Sequence, residues 1–319
     1  MDNFSRARTI DILLFEGVNL LDVSGSAQAF KTARVNGRRK YYLRFVSLDG
    51  KPVTACCGLT LGAEAKLLAG SNANDLLIPG GDGVDALAAN EKVRKLIQHR
   101  AENSDARLIS VCSGALVLAS AGVLDGLVAT THWSRLAETH KYNKVLWDLD
   151  RISTSNGQIF TSAGVTTGID LALATIRADC GAEAALEVAR ELVVQLRRTG
   201  GQSQYALHLA GQFTRDDTLA GLIEQVVSQP HLDWTLDALA DTAGMNARTL
   251  SRRFKRDLEE TPAQFVERIR VDHARGLLMD DIPAKRVAVQ SGFGELQRMR
   301  RAFQRRFGVG VSEYRSVFG

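Results

Sequence analysis

Near its C-terminus the chain repeats one pattern, as LADTAGMNARTLSRRF at residues 239–254 and as VAVQSGFGELQRMRRAF at residues 287–303. In each copy an alanine stands four residues before a glycine, Gly244 in the first and Gly292 in the second. A small alanine lets two helices cross closely, and glycine takes the left-handed conformation of the turn between them. Apolar residues spaced four apart then anchor a second helix, and these are Leu250 and Phe254, then Met299 and Phe303. The repeat predicts an all-α domain with two helix-turn-helix motifs.

Each second helix carries a basic stretch without any acid, residues 246–256 in the first copy and residues 298–306 in the second. Such clusters, on a chain whose net charge is only +4, are typical of a nucleic-acid footprint. Arginine binds guanine and glutamine binds adenine in the major groove, so residues flanking the anchors are candidates for contacting bases. These are Arg248, Ser251, Arg252, Gln297, Arg300 and Arg301. The candidates for phosphate contacts are Arg253, Arg256, Arg305 and Arg306. One or two of these arginines are expected in salt bridges within the domain instead.

The segment between the copies, TPAQFVERIRVDHARGLL at residues 261–278, predicts one long helix. Thr261 is a good N-cap, Pro262 suits the first helical position, and Gln264 completes a capping box. A rigid connecting helix would fix the spacing of the two motifs. At a spacing of about one DNA turn, roughly 34 Å, one chain reads two successive segments of the major groove.

The first 180 residues alternate short apolar runs with amphipathic stretches such as residues 84–101. Four runs predict buried strands, namely TIDILLF (9–15), YYLRFVSL (41–48), DLLIPGG (75–81) and RLISVCSG (107–114). This alternation predicts a mostly parallel sheet with helices on both faces and a binding site at the carboxyl ends of the strands. We expect an α/β domain at residues 1–196, a glycine-rich linker at 197–216 and the helical domain at 217–319.

Cys112 ends an apolar run and is followed by small residues that open a helix. This layout is typical of a nucleophile elbow, and the helix N-terminus is expected to favour the thiolate. Gly80 and Gly81 end a neighbouring strand, and an exposed amide there is expected to join that of Ser113 in an anion-binding pair, with Asp22 and His132 as further candidates. Two alternatives stay open, in which Cys112 is a small buried hydrophobe and His132 is a structural histidine.

Composition excludes several classes of protein. An apolar share of 45% with 24% charged residues is ordinary for a soluble globular chain. No apolar run reaches the roughly 18 residues that span a bilayer, and the first residues lack the order of a signal peptide, so a cytoplasmic location is expected. The four cysteines have the spacing of neither a disulfide framework nor a zinc site, so no metal or cofactor is expected.

Residues 217–319 resemble the AraC/XylS family of transcription regulators. The most specific matches are GF at 292–293, RRAFQRRFG at 300–308 and EYR at 313–315. Val311 stands where the family usually has proline, which bears on the terminal turn and not on the fold.

Residues 8–195 resemble the PfpI-like branch of the class I glutamine amidotransferase-like superfamily, which implies a flavodoxin-like three-layer sandwich with a cysteine pocket at the strand ends. TSAGVTTGIDLAL at 161–173 and GVLDGLVATTHW at 122–133 match the subset fused to AraC-type domains, the GlxA-type regulators. PfpI-like proteases have a histidine directly after the cysteine, and this chain has Ser113 there. Protease-type activation of Cys112 is therefore not expected.

Together the resemblances imply a sequence-specific DNA-binding transcriptional regulator, expected to activate through RNA polymerase and to form a homodimer through its N-terminal domain. That domain is expected to sense a small polar effector, of amino-acid or quaternary-amine type, without acting as an enzyme. The residues expected to bind it are Asp22, Gly81, Cys112, Ser113, His132 and Thr167.

Two other interpretations of the pocket remain. In one, Cys112, Asp22 and His132 catalyse an isonitrile hydratase-like or deglycase-like reaction. In the other, Cys112 senses oxidation, although the sequence identifies no resolving cysteine.

Overall fold

Two structural units divide the chain, residues 1–198 and residues 199–319. The computed structural model describes residues 7–68, 71–194, 217–258, 260–279, 282–307 and 310–318. The predicted linker, residues 197–216, lies outside the described residues. No helix within the described ranges is long and apolar enough to cross a membrane.

The first unit contains a seven-stranded sheet and three small two-stranded sheets in its described part. Its strands are β1 (Arg8–Leu14), β2 (Arg34–Val35), β3 (Arg38–Arg39), β4 (Tyr41–Ser47), β5 (Val53–Thr54), β6 (Thr60–Leu61), β7 (Ala65–Lys66), β8 (Asp75–Ile78), β9 (Arg107–Val111), β10 (Val128–Ala129), β11 (Leu146–Trp147), β12 (Ser153–Asn156) and β13 (Ile159–Ser162). The main sheet has the order β12-β13-β9-β8-β1-β4-β7. Its neighbouring strands run parallel except for the antiparallel pair β12 and β13. The mostly parallel sheet predicted from the four apolar runs is confirmed.

Helices flank this sheet. They are α1 (Leu20–Thr32), α2 (Val84–Ala89), α3 (Glu91–Ala101), α4 (Gly114–Ser120), α5 (Leu136–Thr139) and α6 (Thr167–Glu191), with a 3₁₀ turn at Trp133–Arg135. Helix α1 packs on α6, whereas α2, α3 and α4 contact one another. Ile12 and Leu13 of β1 point to opposite faces of the sheet, and both are fully buried. Both faces are therefore covered, which is why the strands read as continuous apolar runs.

Helical geometry is interrupted at two places in this unit. Within residues 84–101 the chain leaves the helix at Asn90, whose side chain accepts hydrogen bonds from the amides of Lys92 and Val93 and so caps α3. Within α6, Gly181 has a φ of 87° and breaks the helical geometry. In both cases a residue suited to a cap or a positive φ sets the interruption.

All regular elements among the described residues of the second unit are helices. The helices are α7 (Asp217–Ser228), α8 (Leu236–Thr242), α9 (Ala247–Asp257), α10 (Pro262–Met279), α11 (Ala284–Gln290), α12 (Leu296–Phe307) and α13 (Val311–Phe318). One apolar core contains Leu250 and Phe254 of α9, and a second contains Met299 and Phe303 of α12. All four anchors are fully buried, as the repeat predicts.

Local geometry in this unit follows the sequence signals closely. Gly244 and Gly292 adopt φ values of +60° and +83°, so both turns use the left-handed conformation. Thr261 and Gln264 exchange side chain to backbone hydrogen bonds, which is the capping box expected before α10. Val311, where the resembling family has proline, begins α13 with its side chain buried. The terminal turn therefore forms with valine.

Candidate functional sites

Cys112 lies on the sharp turn between β9 and α4. Its φ of +59° is unusual for a residue with a side chain and costs on the order of 1–2 kcal/mol. The backbone is held on both sides, since the amide of Cys112 donates to the carbonyl of Ser162 at 3.0 Å and its carbonyl accepts from Thr131 Oγ1 at 2.9 Å. The elbow layout predicted from the sequence is present.

Two glycines make room for this strained turn. A Cβ built on Gly164 would stand 2.5 Å from Cys112 Cβ and 2.8 Å from its sulfur. A Cβ on Gly80 would stand 2.7 Å from Cys112 Cβ and 2.8 Å from a carboxylate oxygen of Asp22. Gly164 was not among the residues predicted for this site, although the SAG that precedes α6 could have signalled it.

Asp22, on the first turn of α1, reaches the same place and is fully buried. One carboxylate oxygen accepts from the amide of Gly80 at 2.9 Å, and the other accepts from the amide of Val165 at 3.0 Å. Burial raises the pKa of Asp22 to about 6. The two amides and the Cys112 thiol favour the ionised form and lower the pKa, but their effect is smaller than that of burial. Above that pH the site holds a buried negative charge.

The sulfur of Cys112 keeps its proton at neutral pH. Burial, and after it the charge of Asp22, raises the pKa of the Cys112 thiol to about 12. The expectation that the N-terminus of α4 favours the thiolate is therefore wrong. A seven-residue helix and the amide of Ser113 do not offset the loss of solvent and a neighbouring carboxylate. The thiol and the Asp22 carboxylate instead lie close together, since a Cβ built on Gly80 would meet both residues.

The amides expected to pair with that of Ser113 are engaged within the protein. The amide of Gly80 donates to Asp22 at 2.9 Å, and the amide of Gly81 donates to Ser113 Oγ at 3.2 Å. Thr167 closes the far side, since its Oγ1 accepts from the amide of Gly164 at 2.6 Å. The structure thus brings together Asp22, Gly81, Cys112, Ser113 and Thr167.

His132 is placed differently from the other five candidates. Its Nδ1 lies 2.7 Å from Ser134 Oγ and caps the 3₁₀ turn, and its ring lies 5.4 Å from that of Trp133. Burial, and after it the charge of Arg135, lowers the pKa of His132, so the ring is neutral at pH 7. The described contacts of the ring are those of a structural histidine, although the preceding Thr131 bonds the carbonyl of Cys112.

In the second unit, α9 and α12 present arginines to solvent opposite their buried anchors. Five of the six candidates for base contacts are exposed, namely Arg248, Arg252, Gln297, Arg300 and Arg301. The four arginines among them make no ion pair with other residues that the structure describes. The sixth, Ser251, is half-buried and donates to the carbonyl of Ala247 at 2.8 Å within its own helix.

The phosphate candidates are engaged more often than expected. Arg256 pairs with Asp257 at 2.5 Å, Arg305 with Glu267 at 2.6 Å, and Arg306 with Asp272 at 3.5 Å. The fourth, Arg253, is half-buried. Three of the four thus form ion pairs within the domain, where the sequence suggested one or two. The Arg305–Glu267 pair is exposed on both sides, and such a pair is worth about 0–1 kcal/mol, so a phosphate can replace Glu267 at little cost.

A cleft of about 460 Å³ lies beside α12. It is lined by Gln297, Arg300, Arg301 and Gln304, and by residues 310–313 at the start of α13. The first turn of α13 leaves backbone amides without helical partners, and such amides favour anions. The contribution of Ser312 to this surface was not visible from sequence, because it depends on how α13 packs against α12.

Comparison with known protein families divides the chain in the same way. Residues 8–178 match the model of the DJ-1/PfpI family, and residues 239–316 match a helix-turn-helix domain model. The first match covers most of the unit that holds Cys112, and the second covers both repeats.

Curated relatives extend over nearly the whole chain. The HTH-type transcriptional regulator CdhR of Pseudomonas aeruginosa is 26% identical, over 96% of this chain and 90% of the relative. The isonitrile hydratase of Pseudomonas putida is 32% identical, over 58% of this chain and 78% of the enzyme. Among solved structures, Drosophila melanogaster DJ-1beta is 21% identical, matches with a TM-score of 0.53 and covers 59% of this chain and 99% of its own. The likeness to that structure concerns the fold of the first unit.

Proposed function

The chain belongs to the DJ-1/PfpI family and carries a helix-turn-helix domain, and from this premise we propose that it is a DNA-binding transcriptional regulator controlled by a ligand in its first unit. The observation that carries the DNA-binding half is the pair of exposed arginine faces on α9 and α12, each opposite a fully buried anchor. Guanidinium groups that pair with no carboxylate of the described residues are suited to guanine edges and phosphates.

Arg252→Ala and Arg301→Ala test this half. Each is expected to weaken binding to a specific duplex by about tenfold or more, because a bidentate base contact is worth about 1–3 kcal/mol. Arg190→Ala, on the exposed surface of α6, removes the same charge from the first unit and serves as the matched control. Gel shifts with folded proteins measure the effect, and unchanged affinity in both variants would contradict the assignment.

For the first unit we propose that the pocket around Asp22 and Cys112 binds a small polar effector, of amino-acid or quaternary-amine type. The ionised carboxylate accepts two amides, which leaves other acceptor positions, of roughly four in all, for a polar or cationic group. Cys112 and Thr167 each keep 8% of their surface exposed, against none for Asp22, so we propose that a ligand approaches Asp22 beside these two residues.

Thermal shifts of the full chain with a panel of amino acids and betaines test this proposal, because a ligand stabilises the state that it binds. The same panel with Asp22→Asn is the control, and a shift that survives in this variant would place the ligand elsewhere. We further propose that binding changes the pairing of two chains through their first units, and so the activation of RNA polymerase. Sedimentation and in vitro transcription with and without the effector address these two steps.

A second candidate function is hydration of an isonitrile. It is favoured by the closeness of the buried Cys112 thiol and the buried Asp22 carboxylate, since a Cβ built on Gly80 would stand 2.7 Å from Cys112 Cβ and 2.8 Å from a carboxylate oxygen of Asp22. Water would add across R–NC to give R–NH–CHO, with Asp22 rather than His132 as the base. Cys112→Ser separates the candidates, since a regulator without turnover retains ligand-dependent transcription and an enzyme-dependent one loses it while ligand still binds.

A further inference from the structure

The two helix-turn-helix motifs meet at a joint around Arg270, in the middle of α10. Up to Ile269 the buried side chains of this helix belong to the core of the first motif. From Val271 onward they belong to the core of the second motif. Arg270 therefore stands where the helix passes from one core to the other.

The side chain of Arg270 is tied to the loop that precedes the first motif. Its Nε donates to the carbonyl of Pro230 at 3.0 Å, and a terminal nitrogen donates to the carbonyl of Leu232 at 2.8 Å. This loop joins α7 to α8. A planar guanidinium that spans two carbonyls holds the loop in one orientation relative to α10.

The turn of the second motif lies against the same place. A Cβ built on Gly292 would stand 2.3 Å from the carbonyl oxygen of Pro230 and 2.7 Å from Nε of Arg270. Gly244, at the equivalent turn of the first motif, and Gly294 also have positive φ, but a Cβ on either meets nothing within 4 Å. All three glycines are suited to a positive φ, but only Gly292 among them also has to lack a side chain so that Pro230 and Arg270 can approach it closely.

From this contact we infer that Arg270 and Gly292 are positioning residues that hold the two reading helices, α9 and α12, at one separation. If a single helix were the only connection between the two cores, the helix could bend and twist about its axis at little cost. The contact of Arg270 and Gly292 with the loop at Pro230 lies away from that axis and restricts both motions. The consequence, which rests on the proposed function, is that the chain binds two DNA segments only at a fixed spacing.

The test uses the full chain and a duplex that it selects from a random library. Inserting two base pairs between the two contacted segments should weaken wild-type binding by about tenfold or more, because the insertion rotates one segment away from its reading helix. In Gly292→Ala and Arg270→Gln, affinity for the selected duplex should fall and this spacing penalty should shrink. Arg270→Lys, which keeps the charge but places all its donors on a single nitrogen, should restore part of the penalty.

Gly294→Ala is the matched control, since it adds the same methyl at a positive φ in the same turn without a clash. It should keep the full spacing penalty. Misfolding alone lowers the amount of active protein but does not change the preferred spacing. If Gly292→Ala does not fold, Arg270→Gln still tests the inference, because it leaves the residues of the turn unchanged. An unchanged penalty in folded Gly292→Ala and Arg270→Gln overturns the inference. Failure to select any duplex refutes DNA binding itself.

Discussion

Replacing Asp22 by asparagine should change how the stability of the first unit depends on pH. The carboxyl titrates near 3.8 in the unfolded chain and at about 6 in the folded one. Between these two pH values the Asp22 carboxyl is protonated in the folded state and ionised in the unfolded chain. The contribution of this proton to the free energy of unfolding is therefore fully present below the unfolded pKa, and it is lost as pH rises through 6. At about 1.4 kcal/mol per pKa unit, the loss amounts to about 3 kcal/mol, of which about 1.4 kcal/mol falls between pH 5 and pH 8.

Asparagine removes this titration and introduces one hydrogen-bonding fault. Its single oxygen can accept from Gly80 or from Val165, and its amino group then faces the other amide, at a cost of about 1–3 kcal/mol. Near pH 8 the stability gained by removing the buried charge is roughly cancelled by the cost of this hydrogen-bonding fault. On going to pH 5 the wild-type chain should gain about 1.4 kcal/mol over Asp22→Asn.

Urea unfolding at pH 5 and pH 8 measures the difference. Both proteins should carry Trp234→Phe, so that fluorescence from Trp133 and Trp147 reports the first unit alone. Because all other titrating groups are common to both, their contributions cancel in the comparison. A difference in the free energy of unfolding that is the same at both pH values would refute the pKa of about 6 and the burial argument behind it.

Three further predictions concern the reactivity of the Cys112 thiol and the stability cost of substitutions at Gly164 and at Phe303. Alkylation of Cys112 in the native chain should accelerate about tenfold per pH unit between pH 7 and pH 10, and a rate that levels off below pH 9 would show a thiolate that burial does not suppress. Gly164→Ala should destabilise the first unit by about 3 kcal/mol or more in urea unfolding, because the added methyl would clash with Cys112. The control Gly157→Ala, at a positive φ with open space around it, should cost about 1 kcal/mol. Equal costs for the two variants would contradict the close contact at Gly164. Phe303→Ala should lower the unfolding free energy of the second unit by about 3–5 kcal/mol, measured by circular dichroism, and a cost below 1 kcal/mol would be incompatible with its complete burial.

Features that depend on neighbours along the chain are predicted correctly from the amino-acid sequence. The spacing of Leu250 with Phe254 and of Met299 with Phe303 predicts one buried face per helix, and all four side chains are fully buried. Gly244 and Gly292 mark turns because few other residues tolerate a positive φ. These signals act over one or two helical turns, so the sequence alone carries them.

Features that depend on distant partners are predicted only in part. The strand pattern puts Asp22 and Cys112 near the strand ends, but the hydrogen bonds from Gly80 and Val165 to Asp22 join three separate segments. In the same way, no local pattern pairs Arg305 with Glu267, because the two lie on different helices.

The amino-acid sequence by itself therefore determined the tandem motif, its buried anchors and the arginines that it presents to solvent, since periodicity and turn chemistry are local. Only the tertiary structure decided that Cys112 is a thiol, because its pKa follows from the solvent it loses and the carboxylate brought beside it. The same holds for the joint at Arg270 and Gly292, which exists only once the loop at Pro230 folds back against α10 and the second turn.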